Sequence, residues 1–280
     1  MNGILLINKE INKTSRDMVN DISHIFHTKK VGHTGTLDPL ATGVLVVTVG
    51  KYTKLNDVLT STYKEYIAEF KFGILTDTLD ITGTTLEECD KDVSLDELKG
   101  ALNHFKGEYE QVVPIYSSVK VNGKKLYEYA RNNIDVELPS RIVDIKELEL
   151  LSYENGIVKI RTLVSKGTYI RSLIRDIGEY LNNHATMTSL IRTKQGKFNI
   201  EDTITIDDVR NNNYKLLSIE DVLDVEVIDC NELLYKQISN GVKIDNNYNK
   251  EYILFKYNDK EISLYHLEEN VYRMFLKLED

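Results

Sequence analysis

A polar, glycine-rich loop runs directly into a fully apolar strand in the stretch KVGHTGTLDPLATGVL, residues 30–45. The apolar run that follows, GVLVVTVG at residues 43–50, predicts a strand buried on both faces. The loop before it contains glycine, threonine, histidine and proline but a single carboxylate, Asp38. A plain connection between two elements needs neither this composition nor such tight turns. We therefore expect the loop to have a role beyond joining them.

The rest of the chain mixes strand and helix patterns without a strict alternation. Residues 65–73, EYIAEFKFG, alternate with period two, and Asn155-Gly156 is a strong hairpin signal. Residues 168–183 repeat apolar side chains at the helical period. This mixture predicts an α+β fold with a mainly antiparallel sheet flanked by helices. Strands are predicted at residues 3–7, 43–50, 65–73 and on both sides of Asn155-Gly156, and helices at 14–26, 94–105 and 168–183.

The composition changes after Leu223, where short alternating strands and Asn- and Asp-rich turns begin. We predict two domains, residues 1–224 and a small β-barrel of residues 225–280, the second dispensable for folding of the first. The net charge of −9 argues against a generally basic surface, so a nucleic-acid partner requires a local basic face. No apolar stretch is long enough to span a membrane. The isolated Cys89 and Cys230 suit free thiols in the cytoplasm.

Three interpretations of the glycine-rich loop compete. A phosphate-binding Walker loop fails on spacing, because VLVVTV separates Gly43 from Gly50-Lys51 and Tyr52 follows. A simple turn is the second, since Asp before Pro commonly opens one. The third is a carboxylate held rigidly against a substrate, able to attack a glycosidic or base carbon. Composition alone does not decide between the second and the third.

The segment GHTGTLDPLATGVL closely resembles the signature of the bacterial tRNA pseudouridine synthase B (TruB) family. Five further segments match in the family's order over roughly residues 4–200: INKEINKTS, YKEYIAEFKFGILTDTLDITG, VPIYSSVKVNGKKLYEYAR, SKGTYIRSLIRDIG and SLIRTKQGKF. The resemblance implies a pseudouridine-synthase-like catalytic domain that isomerises the uridine at position 55 in the TΨC loop of tRNA. It implies no cofactor, because the reaction is an isomerisation.

The same resemblance assigns roles to individual residues. Asp38 is the expected catalytic aspartate, and Arg171 the cation that pairs with it. Tyr66 is expected to act in catalysis and to stack on the target base. The remaining expected substrate-binding residues are His33, Tyr169, Leu190 and Lys9. The chain departs from the family in Lys9-Glu10-Ile11-Asn12, where Lys-Pro-x-Gly is usual, and in the Val113-Pro114 and Ser117-Ser118 pairs.

The expected partner is the T-arm stem-loop of tRNA, bound by a monomer that contacts no membrane. Basic residues cluster at Lys29-Lys30, at Lys51 and Lys54, and in KVNGKKLYEYAR, where tyrosines are interleaved. By position, residues 225–280 resemble a PUA-type RNA-binding barrel. No metal is expected, because His24 and His27 lack a third ligand.

Two other functions compete with isomerisation. An RNA N-glycosidase also uses a carboxylate beside C1′ but needs a second group to activate water, for which Asp77 and Asp80 are candidates. A non-catalytic RNA-binding protein is the other alternative, against which the intact set of Asp38, Tyr66 and Arg171 argues.

Overall fold

A computed structural model describes residues 1–60 and 62–279 of the chain. A nine-stranded sheet forms its centre, and a separate five-stranded sheet follows it. The predicted α+β class is confirmed. The strands are β1 (Gly3–Lys9), β2 (Val31–Thr34), β3 (Thr42–Val49), β4 (Lys64–Phe72), β5 (Ile74–Thr76), β6 (Thr85–Glu88), β7 (Gly107–Val112), β8 (Lys120–Val121), β9 (Lys124–Lys125), β10 (Ser140–Glu154), β11 (Ile157–Val164), β12 (Ala185–Gln195), β13 (Phe198–Asn199), β14 (Val225–Asp229), β15 (Ile244–Asp245), β16 (Tyr252–Tyr257), β17 (Lys260–Glu268) and β18 (Val271–Lys277). The helices are α1 (Ser15–Ile25), α2 (Asn56–Thr60), α3 (Leu95–His104), α4 (Leu126–Arg131), α5 (Ile170–Tyr180), α6 (Ile206–Arg210), α7 (Ile219–Val222) and α8 (Glu232–Ser239), with 3-10 turns at Gly50–Leu55 and Ile200–Asp202.

The central sheet has the order β1-β3-β12-β4-β11-β10-β7, with β2 added on β3 and β13 on β12. Its pairs are antiparallel except for β12 and β3, which run parallel. The expectation of a mainly antiparallel mixed sheet is therefore confirmed. The one parallel pair joins the strand that follows the glycine-rich loop to the strand of the SLIRTKQGKF segment.

Local sequence explains the elements that frame the site. Tyr66, Ala68 and Phe70 on β4 face the apolar core shared with α3 and α5, as the period-two pattern predicts. The β10–β11 hairpin turns at Asn155 and Gly156, both at positive φ, which suits a tight two-residue turn. These expectations from the sequence are confirmed.

Helix α1 begins at a capping box, in which Thr14 and Asp17 satisfy each other's backbone N–H groups. Its apolar face packs on β1 and β3 through a cluster that includes Met18 and Ile22. The start of this helix is therefore fixed against the sheet, beside the end of β1.

The glycine-rich loop is shorter than the sequence suggested. Residues 31–34 pair with β3 as strand β2, so residues 35–41 make the irregular part. Short β-strands that contain glycine and polar residues give little periodic signal, which is why β2 was not predicted.

The C-terminal sheet has the order β14-β16-β17-β18-β15, and helix α8 packs against it. Its Leu254, Leu264 and Leu276 share one apolar cluster with Ile4 and Val46 of the central sheet. The division into residues 1–224 and 225–280 stays a prediction, and this shared cluster bears on how independent the two parts are. In the part of the chain that the structure describes, no helix combines the length and apolarity needed to cross a bilayer.

Candidate active site

The loop that carries Asp38 is fixed at both ends by one buried arginine. Arg192 of β12 is fully buried and donates from Nε to the carbonyl oxygen of Val44 (2.6 Å) and from Nη2 to that of Gly35 (3.0 Å). Between these ends, the backbone N–H of Leu37 donates to Oγ of Ser15 at the start of α1 (2.9 Å). The loop is thereby held to a strand and a helix that are themselves packed in the core.

Gly43 allows the close approach that this arrangement needs. It pairs with Arg192 across the parallel strands and has φ of +98°. A Cβ at this position would lie 2.2 Å from the carbonyl oxygen of Arg192. Any side chain here would push β3 and β12 apart.

Asp38 and Arg171 form a two-point ion pair. Nε of Arg171 donates to Oδ2 of Asp38 (2.8 Å) and Nη2 to Oδ1 (3.1 Å). Arg171 lies in the first turn of α5 and is 4% exposed, whereas the Asp38 side chain is 34% exposed. The guanidinium also donates to the carbonyl oxygens of Thr78 (2.8 Å) and Tyr116 (3.0 Å). The pair therefore orients the carboxylate while leaving part of it accessible.

A cavity of about 570 Å³ opens on this carboxylate. Its walls include Asp38, Arg171, Tyr66, Tyr169 and Leu190. Five of the seven residues predicted for the site are thus brought together, from a loop, two strands and the start of one helix. The size suits a small organic group such as a nucleoside.

The walls are aromatic and aliphatic. Tyr66 (7% exposed) and Leu190 (6%) come from neighbouring strands β4 and β12. Tyr169 is the N-cap residue of α5, and the guanidinium of Arg141 lies 5.7 Å from its ring centre. Flat apolar walls beside a carboxylate suit a planar base attached to a sugar.

Lys9 does not line this cavity. Its Nζ is buried and donates to the carbonyl oxygens of Glu10 (2.8 Å), Lys13 (2.6 Å) and Pro39 (3.3 Å). Burial lowers the pKa of Lys9 to about 8, although the negative charge of Asp38 opposes the shift. These contacts tie the end of β1 to the residue after Asp38; substrate binding by Lys9 stays a prediction.

His33 also lies outside the cavity wall, on β2. Burial, with the nearby charges of Arg16 and Arg192, lowers the pKa of His33 to about 4. Its Nδ1 is buried without a hydrogen-bond partner among the described residues. His33 is therefore neutral near pH 7, a form in which an imidazole can stack on a base.

Sequence reasoning missed or undervalued two cavity residues. Asp80 is 6% exposed and lines the cavity, but its Oδ1 already accepts from the backbone N–H of Thr82 (3.0 Å) and from the hydroxyls of Thr82 (2.5 Å) and Thr78 (3.0 Å). Arg192 also lines the cavity, and in the sequence only its position in the matching segment SLIRTKQGKF indicates it. A buried arginine on a strand gives no periodic signal.

Basic and aromatic side chains lie at the cavity rim. Tyr127 and Arg131 of α4 line it, and the guanidinium of Arg131 lies 5.2 Å from the Tyr127 ring centre. Lys29 and Lys30 are exposed before the loop. Lys51 instead donates to the carbonyl oxygens of Leu278 and Glu279 near the C-terminus (2.9 and 2.6 Å).

Residues 1–60 and 62–279 contain no group of three His, Cys, Asp or Glu side chains arranged to hold a metal ion. His24 and His27 therefore gain no third ligand among them.

Comparisons with known proteins show which families, sequences and structures this chain is similar to. The family model described as "TruB family pseudouridylate synthase (N terminal domain)" matches residues 23–170, and that of the "tRNA pseudouridylate synthase B C-terminal domain" matches residues 171–234. A protein of Clostridium tetani named tRNA pseudouridine synthase B is 43% identical, covering 87% of this chain and 86% of its own length. A protein of the same name from Fusobacterium nucleatum subsp. nucleatum is 42% identical, and the match covers 96% of this chain and 97% of that protein.

Among solved structures, the crystal structure of a Cbf5-Nop10-Gar1 complex contains a similar chain. The match has a TM-score of 0.70 and 23% identity and covers 99% of this chain and 84% of the other. At that identity the likeness concerns the fold alone.

Proposed function

This chain belongs to the TruB family of pseudouridylate synthases and is an isomerase of uridine in tRNA, and we propose that its target is the uridine at position 55 in the TΨC loop. The observation that carries this proposal is the oriented Asp38 carboxylate, bound at two points by Arg171, in a cavity walled by Tyr66, Tyr169 and Leu190. The resemblance of the GHTGTLDPLATGVL segment supports the choice of target.

The reaction breaks the bond from N1 to C1′, turns the uracil and forms a bond from C5 to C1′. C5 loses a proton and N1 gains one, so atoms and electrons balance without a cofactor. We propose that Asp38 acts on the C1′ side of the sugar. Arg171 aligns both carboxylate oxygens, and the buried walls keep the free uracil in place while it turns.

A uridine in a folded loop must leave its stack, at a cost of a few kcal/mol. Tyr66 would stack on the extruded base, and Tyr169 and Leu190 would close the pocket around it. His33, neutral near pH 7, would fill the space that the base vacates. Each of these contacts offsets part of the cost of unstacking.

The N-glycosidase alternative gains some support from Asp80, which lines the same cavity as Asp38. However, three hydrogen bonds already reach Oδ1 of Asp80 from Thr78 and Thr82. A carboxylate held in this way is better suited to shaping the loop than to activating water. Isomerisation is therefore favoured, and free uracil among the products would count against it.

The remaining proposals concern the whole molecule. The enzyme acts as a monomer in the cytoplasm on the T-arm of tRNA. Residues 225–280 act as a PUA-like RNA-binding module. The rim residues Tyr127 and Arg131, together with Lys29 and Lys30, contact RNA by stacking and by phosphate binding.

The test is to incubate the protein with unmodified tRNA transcripts and to map pseudouridine by nucleotide. We expect conversion at position 55 with no release of uracil. A transcript in which U55 is replaced by cytidine is the matched control and should remain unmodified. Pseudouridine at other positions alone would contradict the proposed target.

A further inference from the structure

A fully buried glutamine outside the cavity binds the residue at which helix α5 begins. Gln111 lies on β7, at the edge of the central sheet. Its Oε1 accepts from the backbone N–H of Tyr169 (2.8 Å), and its Nε2 donates to the carbonyl oxygen of the same residue (3.2 Å). One side chain thus holds both backbone polar groups of a residue whose ring lines the substrate cavity.

The orientation of this amide is determined by its partners. A backbone N–H only donates, so the atom facing the N–H of Tyr169 must be the oxygen. The nitrogen then also donates to the hydroxyl of Tyr109 (2.5 Å), which in turn donates to Oδ2 of Asp176 (3.2 Å). Arg175 binds the other oxygen of Asp176 (2.9 and 2.6 Å). Gln111 is therefore held between Tyr169 and a partly buried chain of hydrogen bonds that returns to α5.

These contacts matter because α5 begins without a side-chain cap of its own. Arg171, which binds Asp38, follows Tyr169 by two residues. The hydroxyl of Ser172 adds a bond to the carbonyl oxygen of Val112, the next residue of β7 (2.9 Å). The first turn of α5 is thus bound to the edge strand at two successive residues of that strand.

We propose that Gln111 is a positioning residue, which sets the placement of Tyr169 and Arg171 relative to Asp38. It touches neither the cavity nor Asp38, and it acts through the backbone of Tyr169. The inference rests on the isomerase function, since its consequence is a slower chemical step. Binding of tRNA, which involves a much larger surface, should change little.

The experiment uses Gln111→Met, which keeps the size of the side chain and removes its hydrogen bonds. We expect the single-turnover rate on full-length tRNA to fall at least tenfold, with the dissociation constant within about threefold of wild type. A displacement of about 1 Å at a reacting group has an effect of this order or larger. Thermal unfolding is measured on the same samples.

The matched control is Asn183→Leu. Asn183 is also a buried amide and lies beyond the other end of α5, where it accepts from the backbone N–H groups of Gly73 and His184 and donates to Lys91. The Asn183→Leu variant should lower the unfolding temperature about as much as Gln111→Met does, and its single-turnover rate should stay within threefold of wild type. If both variants lose rate in parallel, or if Gln111→Met keeps a rate within threefold of wild type, the proposal is wrong.

Should Gln111→Met fail to fold, Gln111→Glu takes its place. The carboxylate retains the acceptor for the N–H of Tyr169 but loses the two donated bonds, so a rate at least threefold below wild type is expected. A wild-type rate for this variant would overturn the proposal. The wild-type protein tests the function itself in each series. A wild type that forms no pseudouridine contradicts the isomerase function. An active wild type with an equally active variant contradicts only the role of Gln111.

Discussion

Arg171 is a buried cation, and the structure satisfies it with a carboxylate and two backbone carbonyl groups. An unpaired buried charge is strongly unfavourable, so this set of acceptors is what permits an arginine at the start of α5. The same contacts leave the guanidinium little freedom to move. The carboxylate that it binds is consequently aimed into the cavity in a single orientation.

The first prediction concerns Asp38→Asn. The amide keeps the shape of the side chain but removes its charge and nucleophilicity, so we expect the isomerisation rate to fall by at least about 10³-fold. The affinity of the variant for tRNA should stay within a few-fold of the wild-type affinity. Asp77→Asn is the control, because Asp77 binds Tyr116 and Thr84 nearby but does not line the cavity. A sizeable fraction of wild-type pseudouridine formation by Asp38→Asn would refute the assignment.

The second prediction concerns His33 and pH. The pKa of His33 is lowered to about 4 by burial, whereas an exposed histidine titrates near 6.5. Between these values the unfolded chain binds a proton that the folded protein does not, so stability falls as the pH drops from about 6.5 toward 4. When the pH is lowered from 7.5 to 5, the free energy of unfolding of His33→Phe should fall by about 1 kcal/mol less than that of wild type. This figure allows for the partial exposure of the site. Urea unfolding at the two pH values measures this difference, and equal losses would contradict it.

The sequence predicts some site residues far better than others. Asp38 and Arg171 lie in long segments that match the family, so the resemblance predicts both as site residues, and both line the cavity. Gln111 and Arg192 act through backbone groups of residues distant in the chain. No local pattern indicates such contacts, because they depend on which strands become neighbours.

At the scale of elements, the site depends on the parallel contact between β3 and β12. Ile191 pairs with Thr42 and Arg192 with Gly43. This contact lets the Arg192 side chain reach both ends of the loop that carries Asp38. A local change that separates these strands should therefore displace the carboxylate of Asp38.

The third prediction tests this with Gly43→Ala. The new methyl group would meet the backbone of Arg192 at 2.2 Å, at a φ of +98° that alanine rarely adopts. We expect a loss of several kcal/mol in unfolding free energy and at least tenfold in rate. Gly100→Ala is the control, since it lies within α3 with nothing within 4 Å of the added methyl group, and it should be neutral or stabilising. A Gly43→Ala protein with wild-type rate and stability would show that the contact is not required.

Element prediction succeeded where periodicity is strong, as in β4, α5 and the β10–β11 hairpin. It failed for β2, whose four residues contain Gly32 and His33 and have no alternating apolar face. The order of strands is not predictable in detail, because the parallel partner of β3 comes from the SLIRTKQGKF segment, far along the chain. Side-chain pattern fixes which face is buried, but not which strand lies alongside.

At the scale of the molecule, the C-terminal sheet shares its core with β1 and β3. Leu264 is fully buried in the cluster that also contains Ile4 and Val46. Tyr52 donates a hydrogen bond from its hydroxyl to Glu261 (2.5 Å), and Lys256 pairs with Glu220. These contacts join the two parts more tightly than a flexible linker would.

The fourth prediction follows from this shared core. Removal of residues 225–280 should leave a protein that is several kcal/mol less stable, because apolar surface on the central sheet becomes exposed. In the full chain, Leu264→Ala should lower the temperature at which enzymatic activity is lost, whereas Leu233→Ala, at a 71% exposed position, should not. Calorimetry and residual activity after heating measure both effects. Unchanged stability of residues 1–224 alone would show that the two parts fold independently.

The last prediction concerns how an acidic protein binds RNA. The net charge is −9, so attraction to phosphate has to come from local clusters such as the exposed Lys29 and Lys30. In the proposed function the cavity holds one flipped nucleotide, and we therefore expect a T-arm stem-loop alone to be bound and modified. Its affinity should fall steeply with added salt, because each phosphate contact releases counterions.

Replacing Lys29 and Lys30 together by alanine should reduce the slope of log K against log salt by up to about two units, with the rate on bound RNA nearly unchanged. Lys99→Ala with Lys106→Ala is the matched control, since it removes the same charge from two exposed positions, one in α3 and one just after it, and should leave the slope intact. Fluorescence anisotropy of a labelled stem-loop across a salt series measures the slope. A dissociation constant that does not depend on salt, or a stem-loop that is not modified, would mean that recognition depends on base and shape contacts from the rest of the tRNA.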